Sequence, residues 1–299
     1  MISLSEVSKD YGGVRGLSST SFEVPDGCVV CLVGANGAGK TTALKAIGGL
    51  VRPDGGDVRV DGAAPGMWPS PLGHLSLVLG ADHWVGSRTG LQCLMGLART
   101  GGISEARVRQ CLEETGIAAV GDRKVNTYSL GMRQRLSLAA AMLGRPQNVV
   151  LDEPFNGLDP EGVRWLRSLL RRLADEGRAV LLSSHLLGEV EDIADRVVVL
   201  KEGRVLAQAS ADQMRRPGGV VVRVADVAQV VALARSRNWQ VKATGRPGES
   251  EGEVLIDAGI AEVQRAFFDE GVLFTEMREA RRSLEDWFFR SWLVSSARR

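Results

Sequence analysis

Apolar and polar residues alternate along the start of the chain in a pattern typical of β-strands. The alternation covers Ile2–Ser8 and Leu17–Val24, and the second segment ends at a Pro-Asp-Gly turn. The apolar run Cys28–Val33 then leads into a glycine-rich loop, and a helical pattern begins at Lys40. This order predicts an antiparallel β portion, followed by a buried strand that enters a helix.

Beyond Lys40, apolar strands alternate with amphipathic helices as far as residue 200. The predicted strands are Leu75–Leu79, Asn148–Leu151, Ala179–Leu182 and Arg196–Leu200, and the predicted helices are Thr89–Arg99, Ser104–Thr115, a helix from Ser129, Glu161–Glu176 and Leu186–Ala194. Strands that alternate with helices form a mainly parallel sheet with helices on both faces. We therefore predict an α/β domain over residues 1–215.

The composition changes near residue 217, and shorter elements follow. Their predicted order is β-α-β-β-α-β, over Val220–Val224, Val227–Arg237, Gln240–Ala243, Glu253–Asp257, Ile260–Glu270 and Val272–Met277. A last helix, Leu284–Leu293, has an apolar face, which we interpret as covering the small sheet, with partner binding as the alternative. We predict a small α+β accessory domain over residues 216–299, with a ferredoxin-like arrangement.

Composition and charge exclude several functional classes. The 299 residues include 37 basic and 36 acidic side chains, which give a formal net charge of +1. Such a balance provides no large basic surface, so we expect no nucleic-acid partner. No apolar run approaches the ~20 residues that cross a bilayer, and the N-terminus resembles a strand rather than a signal peptide. The four cysteines are interpreted as buried thiols of a reducing cytoplasm.

Residues 34–41 read Gly-Ala-Asn-Gly-Ala-Gly-Lys-Thr and match the phosphate-binding loop (P-loop) pattern G-x-x-x-x-G-K-[ST]. Its glycines let backbone N–H groups surround phosphate oxygens, and the helix that follows adds a positive dipole. Lys40 would reach the β- and γ-phosphates, and the Thr41 hydroxyl would bind Mg²⁺. The candidate nucleotide-binding residues are Gly34, Asn36, Gly37, Ala38, Gly39, Lys40, Thr41 and Thr42.

Two acidic residues, Asp152 and Glu153, end the apolar strand Asn148–Leu151. The carboxyl edge of a parallel sheet is where ligands bind. We predict that Asp152 helps to hold Mg²⁺, together with Thr41. Glu153 is the candidate that polarises an attacking water.

With these two motifs, the chain resembles the ATP-binding subunits of ATP-binding cassette (ABC) transporters over about residues 2–214. Five further residues match functional residues of that family. By resemblance, Tyr11 stacks on adenine, and Ser129 and Gly131 of the signature motif grip the γ-phosphate of ATP held by the opposite subunit. Asp159 matches the D-loop aspartate, and His185 matches the switch histidine that contacts the γ-phosphate.

The resemblance implies a P-loop ABC ATPase fold with a helical subdomain at about residues 85–145. It also implies a homodimer that binds MgATP at its interface. A separate multi-span membrane permease would be the second partner, and would hold the chain at the inner face of the cell membrane. The tail Leu284-Glu285-Asp286-Trp287 resembles that of the drug- and antibiotic-export branch. The cargo expected from that branch is an antibiotic, drug, peptide or lipid-like compound.

Two departures from the family pattern stand out. In the signature, which usually reads Leu-Ser-Gly-Gly-Gln, three positions are occupied by Tyr128, Leu130 and Met132. The family also has a glutamine that links the metal site to the membrane subunit. Counting back from Thr89 places Gly80 at that position in this chain. Asp82 or His83 are the candidate substitutes, or the coupling is weak.

A soluble ABC ATPase that acts on ribosomes or chromosomes is the alternative function. Such proteins resemble tandem cassettes or contain long coiled coils, whereas this chain has one cassette and no heptad run. A GTPase would need an Asn-Lys-x-Asp base-reading motif, which the sequence lacks. These comparisons favour a transporter ATPase.

Overall fold

The computed structural model describes residues 1–68, 71–80, 83–185, 187–211, 213, 219–243 and 252–280. The chain divides into two compact units, one over Met1–Ala211 and a second that begins at Asp212. This division lies four residues before the domain boundary expected at 215. The described residues contain no helix with both the length and the apolar character needed to cross a bilayer.

The first unit alternates strands and helices over most of its length. In chain order its elements are β1 (Ile2–Asp10), β2 (Arg15–Val24), β3 (Val29–Val33), α1 (Lys40–Ile47), β4 (Gly55–Val60), α2 (Pro71–His74), β5 (Leu75–Val78), α3 (Gly90–Thr100), α4 (Glu105–Glu114), α5 (Leu130–Met142), β6 (Asn148–Leu151), α6 (Pro160–Asp175), β7 (Ala179–Ser184), α7 (Leu187–Val190), β8 (Arg196–Lys201) and β9 (Arg204–Ser210).

A six-stranded sheet in the order β5-β6-β7-β3-β8-β9 forms the centre of this unit. Its first five strands are parallel, and β9 pairs antiparallel with β8. Every residue of β3, β6 and β7 is buried, as expected for strands covered on both faces. The predicted α/β fold class is confirmed, and the carboxyl ends of the parallel strands share one edge.

The antiparallel β portion is a three-stranded sheet in the order β2-β1-β4. Strand β4 was not predicted, because its residues are mostly exposed glycine and charged side chains, with only Val58 and Val60 buried. The strand is stabilised by its backbone pairing with β1, in a register that places Ile2 opposite Val60. The strand therefore depends on a distant partner rather than on its own pattern.

The helix expected over Leu186–Ala194 is wrong in length, because among the described residues of that range only Leu187–Val190 is helical. The chain turns after Val190, whose carbonyl accepts from the Ile193 and Ala194 N–H groups. This turn positions Asp195, whose carboxylate accepts from the Val29 N–H at 2.8 Å and pairs with Arg171. A helix that continued to Ala194 would remove this turn, and with it the contact between Asp195 and Val29 at the start of β8 and β3.

The four cysteines are free thiols, and all but the half-buried Cys28 are buried. Burial raises the pKa of Cys111 to about 11, and burial also raises the pKa of Cys31. These thiols therefore stay protonated at neutral pH and act as small apolar side chains.

The second unit contains β10 (Val220–Val224), α8 (Val227–Ser236), β11 (Val241–Ala243), β12 (Gly252–Ile256), α9 (Ile260–Asp269) and β13 (Phe274–Glu279). Its strands form an antiparallel sheet in the order β11-β12-β10-β13. Strand β12 lies between β10 and β11, which is the split βαβ arrangement of ferredoxin-like domains. The last strand begins two residues after the expected Val272, and the expected helix Leu284–Leu293 lies outside the described residues.

Two neighbouring phenylalanines on α9 allow a matched test of the second unit's core. Phe267 is 1% exposed and packs in the cluster around Val222 and Val254, whereas Phe268 is 87% exposed. We expect Phe267→Ala to destabilise this unit by about 3–5 kcal/mol, the usual cost of truncating a buried aromatic side chain. Phe268→Ala should cost less than about 0.5 kcal/mol. Hydrogen exchange of peptides from 219–280 measures both, and equal loss of protection in the two variants would contradict this core.

Candidate functional site

The P-loop joins the buried end of β3 to the first turn of α1, with a backbone that only glycine accommodates. Gly37 and Gly39 have φ angles of 80° and 103°. A Cβ on Gly34 would lie 2.4 Å from the Leu200 carbonyl oxygen, and one on Gly39 would lie 2.3 Å from that of Gly16. The loop is therefore held against its neighbours by backbone contact, and Asn36 and Gly37 are exposed at its outer turn.

Lys40 lies beneath this loop with a side chain only 7% exposed. Its Nζ donates to the Gly34 carbonyl at 2.6 Å and lies 3.3 Å from Glu153 Oε1. A buried ammonium group needs such partners, because removal from water penalises an unpaired charge. The structure thus brings Lys40 and Glu153, which are 113 positions apart in the sequence, into one ion pair.

Asp152 and Thr41 meet at the carboxyl edge of the sheet. The Thr41 hydroxyl donates to Asp152 Oδ2 at 2.7 Å. Ser183, near the end of β7, donates to Asp152 Oδ1 at 2.5 Å and accepts from the Glu153 N–H at 2.9 Å. The sequence analysis did not identify Ser183 as a residue of this site. The pattern that could have indicated it is the pair of serines, Ser183 and Ser184, at the end of an apolar strand.

The hydroxyl of Thr41 and the carboxylate of Asp152 fit a Mg²⁺ site. Both are hard oxygen donors, and Mg²⁺ in nucleotide sites takes one or two protein oxygens while phosphate and water complete its octahedron. Consistent with this, the described residues contain no group of three or more His, Cys, Asp or Glu side chains that could hold a metal alone. A metal at this position would therefore depend on the nucleotide.

Glu153 lies between the Lys40 ammonium group and the His185 imidazole, in a strained backbone position. Its φ angle is 47°, in the left-handed region that non-glycine residues rarely occupy. Its Oε2 lies 2.8 Å from His185 Nδ1, while Oε1 faces Lys40. The two contacts therefore hold the carboxylate between Lys40 and His185.

Tyr11 lies close to the first turn of α1. A Cβ on Gly16 would lie 2.8 Å from Tyr11 Cε2 and 3.0 Å from Thr42 Cγ2, so the ring and Thr42 border the same small space. The Tyr11 side chain is 47% exposed. An exposed aromatic ring beside the start of α1 is suitable for stacking on a nucleotide base.

Ser129 and Asp159 both begin helices. Ser129 caps α5 by accepting from the Met132 N–H at 3.2 Å, and Asp159 caps α6 by accepting from the Gly162 N–H at 2.8 Å. A Cβ on Gly131 would lie 3.1 Å from the Gly157 carbonyl oxygen, so the two helix starts are packed together. Within the described residues, no hydrogen bond joins either capping side chain to residues 34–42.

The departure at Tyr128 has a local structural reason. Tyr128 is 4% exposed, and its hydroxyl donates to the Val120 carbonyl at 2.6 Å. The ring therefore fastens the start of α5 to the preceding loop. Ser129 and Gly131, the two residues expected to contact phosphate, stay at the exposed start of the helix.

The loop after β5 places Gly80 in a conformation that favours glycine. Its φ angle is 99°, and no atom lies within 4 Å of the position that a Cβ would occupy. His83 Nε2 lies 3.0 Å from the Leu79 carbonyl oxygen, whereas Asp82 lies outside the described residues. A side chain at Gly80 would thus have space but would be strained.

Comparison with known proteins identifies the relatives of this chain. The family model described as "ABC transporter" matches residues 17–156. The chain is 32% identical to the bacitracin transport ATP-binding protein BcrA of Enterococcus faecalis, over 96% of this chain and 95% of that protein. It is 34% identical to the daunorubicin resistance ATP-binding protein DrrA2 of Streptomyces coeruleorubidus, over 95% of this chain and 92% of that protein.

A solved structure is similar to most of this chain. It is described as the dimeric structure of MJ0796, a bacterial ABC transporter cassette. The TM-score is 0.65 at 25% identity, over 71% of this chain and 99% of that one.

Proposed function

The chain is an ATPase subunit of the ABC transporter family, and from this premise we propose that it uses MgATP hydrolysis between two copies of itself to drive export. The observation that carries the proposal is the Glu153 carboxylate, held between Lys40 Nζ at 3.3 Å and His185 Nδ1 at 2.8 Å. This position suits a general base beside a phosphate-binding loop.

In the proposed reaction, the P-loop N–H groups and Lys40 bind the β- and γ-phosphates. Glu153 orients a water molecule and accepts its proton as the water oxygen bonds to the γ-phosphorus. The bond between that phosphorus and the β–γ bridging oxygen breaks, which leaves ADP and inorganic phosphate. His185 holds a γ-phosphate oxygen, while Thr41 and Asp152 would hold Mg²⁺, whose positive charge stabilises the phosphate oxygens when it is bound.

A homodimer is supported by the separation between the two halves of the proposed site. Ser129 and Gly131 lie at an exposed helix start whose N–H groups suit an anion, yet within the described residues the Ser129 side chain forms no hydrogen bond with the P-loop of its own chain. A second copy would bring its Ser129 to the γ-phosphate. In the same proposal, Asp159 is the D-loop residue, and the Tyr11 ring stacks on adenine.

A separate membrane permease is the second proposed partner, and it would hold the subunit at the inner face of the membrane. Two relatives are named for bacitracin transport and daunorubicin resistance, which supports an antibiotic, drug, peptide or lipid-like cargo and favours transport over action on ribosomes or chromosomes. A mainly apolar pocket of about 310 Å³ lies next to the Gly80 loop and includes Leu79, Trp84 and Leu97. Such a pocket suits a docking segment of the permease.

Replacement of Glu153 tests the chemistry. Glu153→Gln should bind MgATP but hydrolyse it at least about a hundredfold more slowly, because the amide cannot accept the proton from water. Lys40→Ala should instead weaken nucleotide binding. Phosphate-release kinetics and titration with a fluorescent ATP analogue separate the two effects. Glu113→Gln, an exposed change of the same kind on α4, is the control. Near-normal turnover in Glu153→Gln would remove Glu153 from this role.

Assembly is tested in the slow Glu153→Gln protein. It should form dimers with ATP but remain monomeric with ADP, because the γ-phosphate is the group that both halves share. Adding Ser129→Ala should weaken the ATP dimer, since the hydroxyl that reaches across is lost. Ser104→Ala is a matched control, because Ser104 caps α4 in the same way through the Arg107 N–H. Light scattering that shows one mass in all nucleotide states would contradict the shared site.

The coupling loop is tested by restoring the missing side chain. We expect appreciable basal ATPase activity from the isolated subunit and only modest stimulation by the permease, because Gly80 has no side chain to link the two. Gly80→Gln should increase the stimulation more than the basal rate. Gly80→Ala is the control, since it introduces the same backbone strain at φ 99° without the amide. The ratio of stimulated to basal rate, measured in reconstituted vesicles, is compared between them.

If Asp82 or His83 already fills this role, stimulation of the wild-type protein should be strong and should collapse in Asp82→Ala or His83→Ala. Strong stimulation that survives both changes, and that Gly80→Gln leaves unaltered, would contradict the whole account of this loop.

A further inference from the structure

A polar pocket lies in the first unit, between the end of α5 and helices α4 and α6. Its volume is about 380 Å³, and its lining includes four arginines and two glutamates: Arg107, Arg145, Arg172, Arg178, Glu114 and Glu176. Four positive and two negative side chains leave an excess of two positive charges in a small concave space. Like charges gathered in this way repel each other, and an anion between them would relieve that repulsion.

Arg107 is held rigidly at the wall of this pocket. Its Nη1 donates to Glu114 at 3.1 Å, and its Nη2 donates to the Met142 carbonyl at 2.6 Å. Its Nε is buried and has no hydrogen-bond partner among the described residues, although a buried donor is normally paired. The guanidinium group is thus held by two hydrogen bonds, while its Nε–H donor stays unused.

Arg145 and Arg172 provide the excess charge. Arg178 pairs with Glu176 at 2.8 Å and Arg107 pairs with Glu114, so both carboxylates already have partners. Neither Arg145 nor Arg172 forms an ion pair with any described residue. Arg145 is exposed in the turn after α5 and has a φ angle of 50°, an unusual conformation for a non-glycine residue.

The pocket is separate from the proposed ATP site. Arg145 precedes β6 and Arg178 precedes β7, whereas Asp152 and His185 follow the same two strands. These strands are four and six residues long, so the two sites lie at opposite edges of the parallel sheet. Their separation along the strands is at least about 13 Å, at ~3.3 Å per residue.

We propose that this arginine pocket is a binding site for a small anion that carries phosphate groups, with Arg145 and Arg172 as its main donors. Guanidinium groups match the geometry of phosphate oxygens through paired N–H donors, which lysine does not. The volume is sufficient for a diphosphate group. Because the lining comes from α4, α6 and the end of α5, a bound anion would tie the helices inserted between β5 and β6 to the central sheet.

The test uses the full chain with Lys40→Ala, which removes the P-loop ammonium, and pyrophosphate without Mg²⁺ as the probe. Calorimetric titration should detect binding of one pyrophosphate per chain. Addition of Arg145→Gln and Arg172→Gln should weaken this affinity at least about tenfold, because two charge-assisted contacts are lost. The matched control adds Arg52→Gln and Arg265→Gln, two exposed arginines outside the pocket, and should keep the affinity.

A phospholipid head group could present the same phosphate chemistry, so a second arm uses flotation with vesicles that contain phosphatidic acid. Binding to vesicles but not to pyrophosphate, lost only with the two pocket substitutions, would support the site with a lipid phosphate as its ligand. Equal weakening in the pocket and control variants would overturn the proposal, because it would show diffuse attraction to surface charge. Failure to bind either probe would overturn it as well. Unchanged melting temperatures establish that the variants are folded.

Discussion

The register of three buried parallel strands is the constraint on which the candidate site depends. Val33 of β3 pairs with Ser184 of β7, and Leu151 of β6 pairs with Leu182 of β7. This alignment places Asp152 beside Ser183, and brings the P-loop to the same edge. A slip of one residue would turn every side chain to the opposite face of the sheet. Burial on both faces and the contact of Gly34 with Leu200 oppose such a slip.

Charges at that edge balance each other within the chain. Lys40 is almost fully buried, so the Gly34 carbonyl and the Glu153 carboxylate compensate for its lost hydration. A phosphate that enters the loop supplies Lys40 with another acceptor, and thereby competes with Glu153 for the same ammonium group. The residue proposed to handle water is in this way linked directly to the residue proposed to hold phosphate.

Helix starts at Ser129 and Asp159 combine a structural role with a proposed functional one. Each side chain accepts a hydrogen bond from the first turn of its own helix, which satisfies an N–H that would otherwise lack a partner. The Ser129 hydroxyl still has its hydrogen to donate after it has accepted this bond. A cap of this kind therefore stabilises α5 and leaves a donor at an exposed, positively polarised end.

The local sequence was sufficient to predict an element wherever the interactions that determine it lie within one turn or one strand. It determined the P-loop and its helix, the strand that ends in Asp152 and Glu153, the capped starts of α3 and α5, and the element order of the second unit. It did not determine β4, which exists through its pairing with β1, or the short α7, whose end depends on Asp195 reaching Val29.

The tertiary structure alone decided that Ser183 joins Asp152 to Glu153, that Tyr11 meets Thr42 across Gly16, and that four arginines gather around one pocket. These contacts join residues far apart in the chain, and such proximity arises only when the sheet closes around its core.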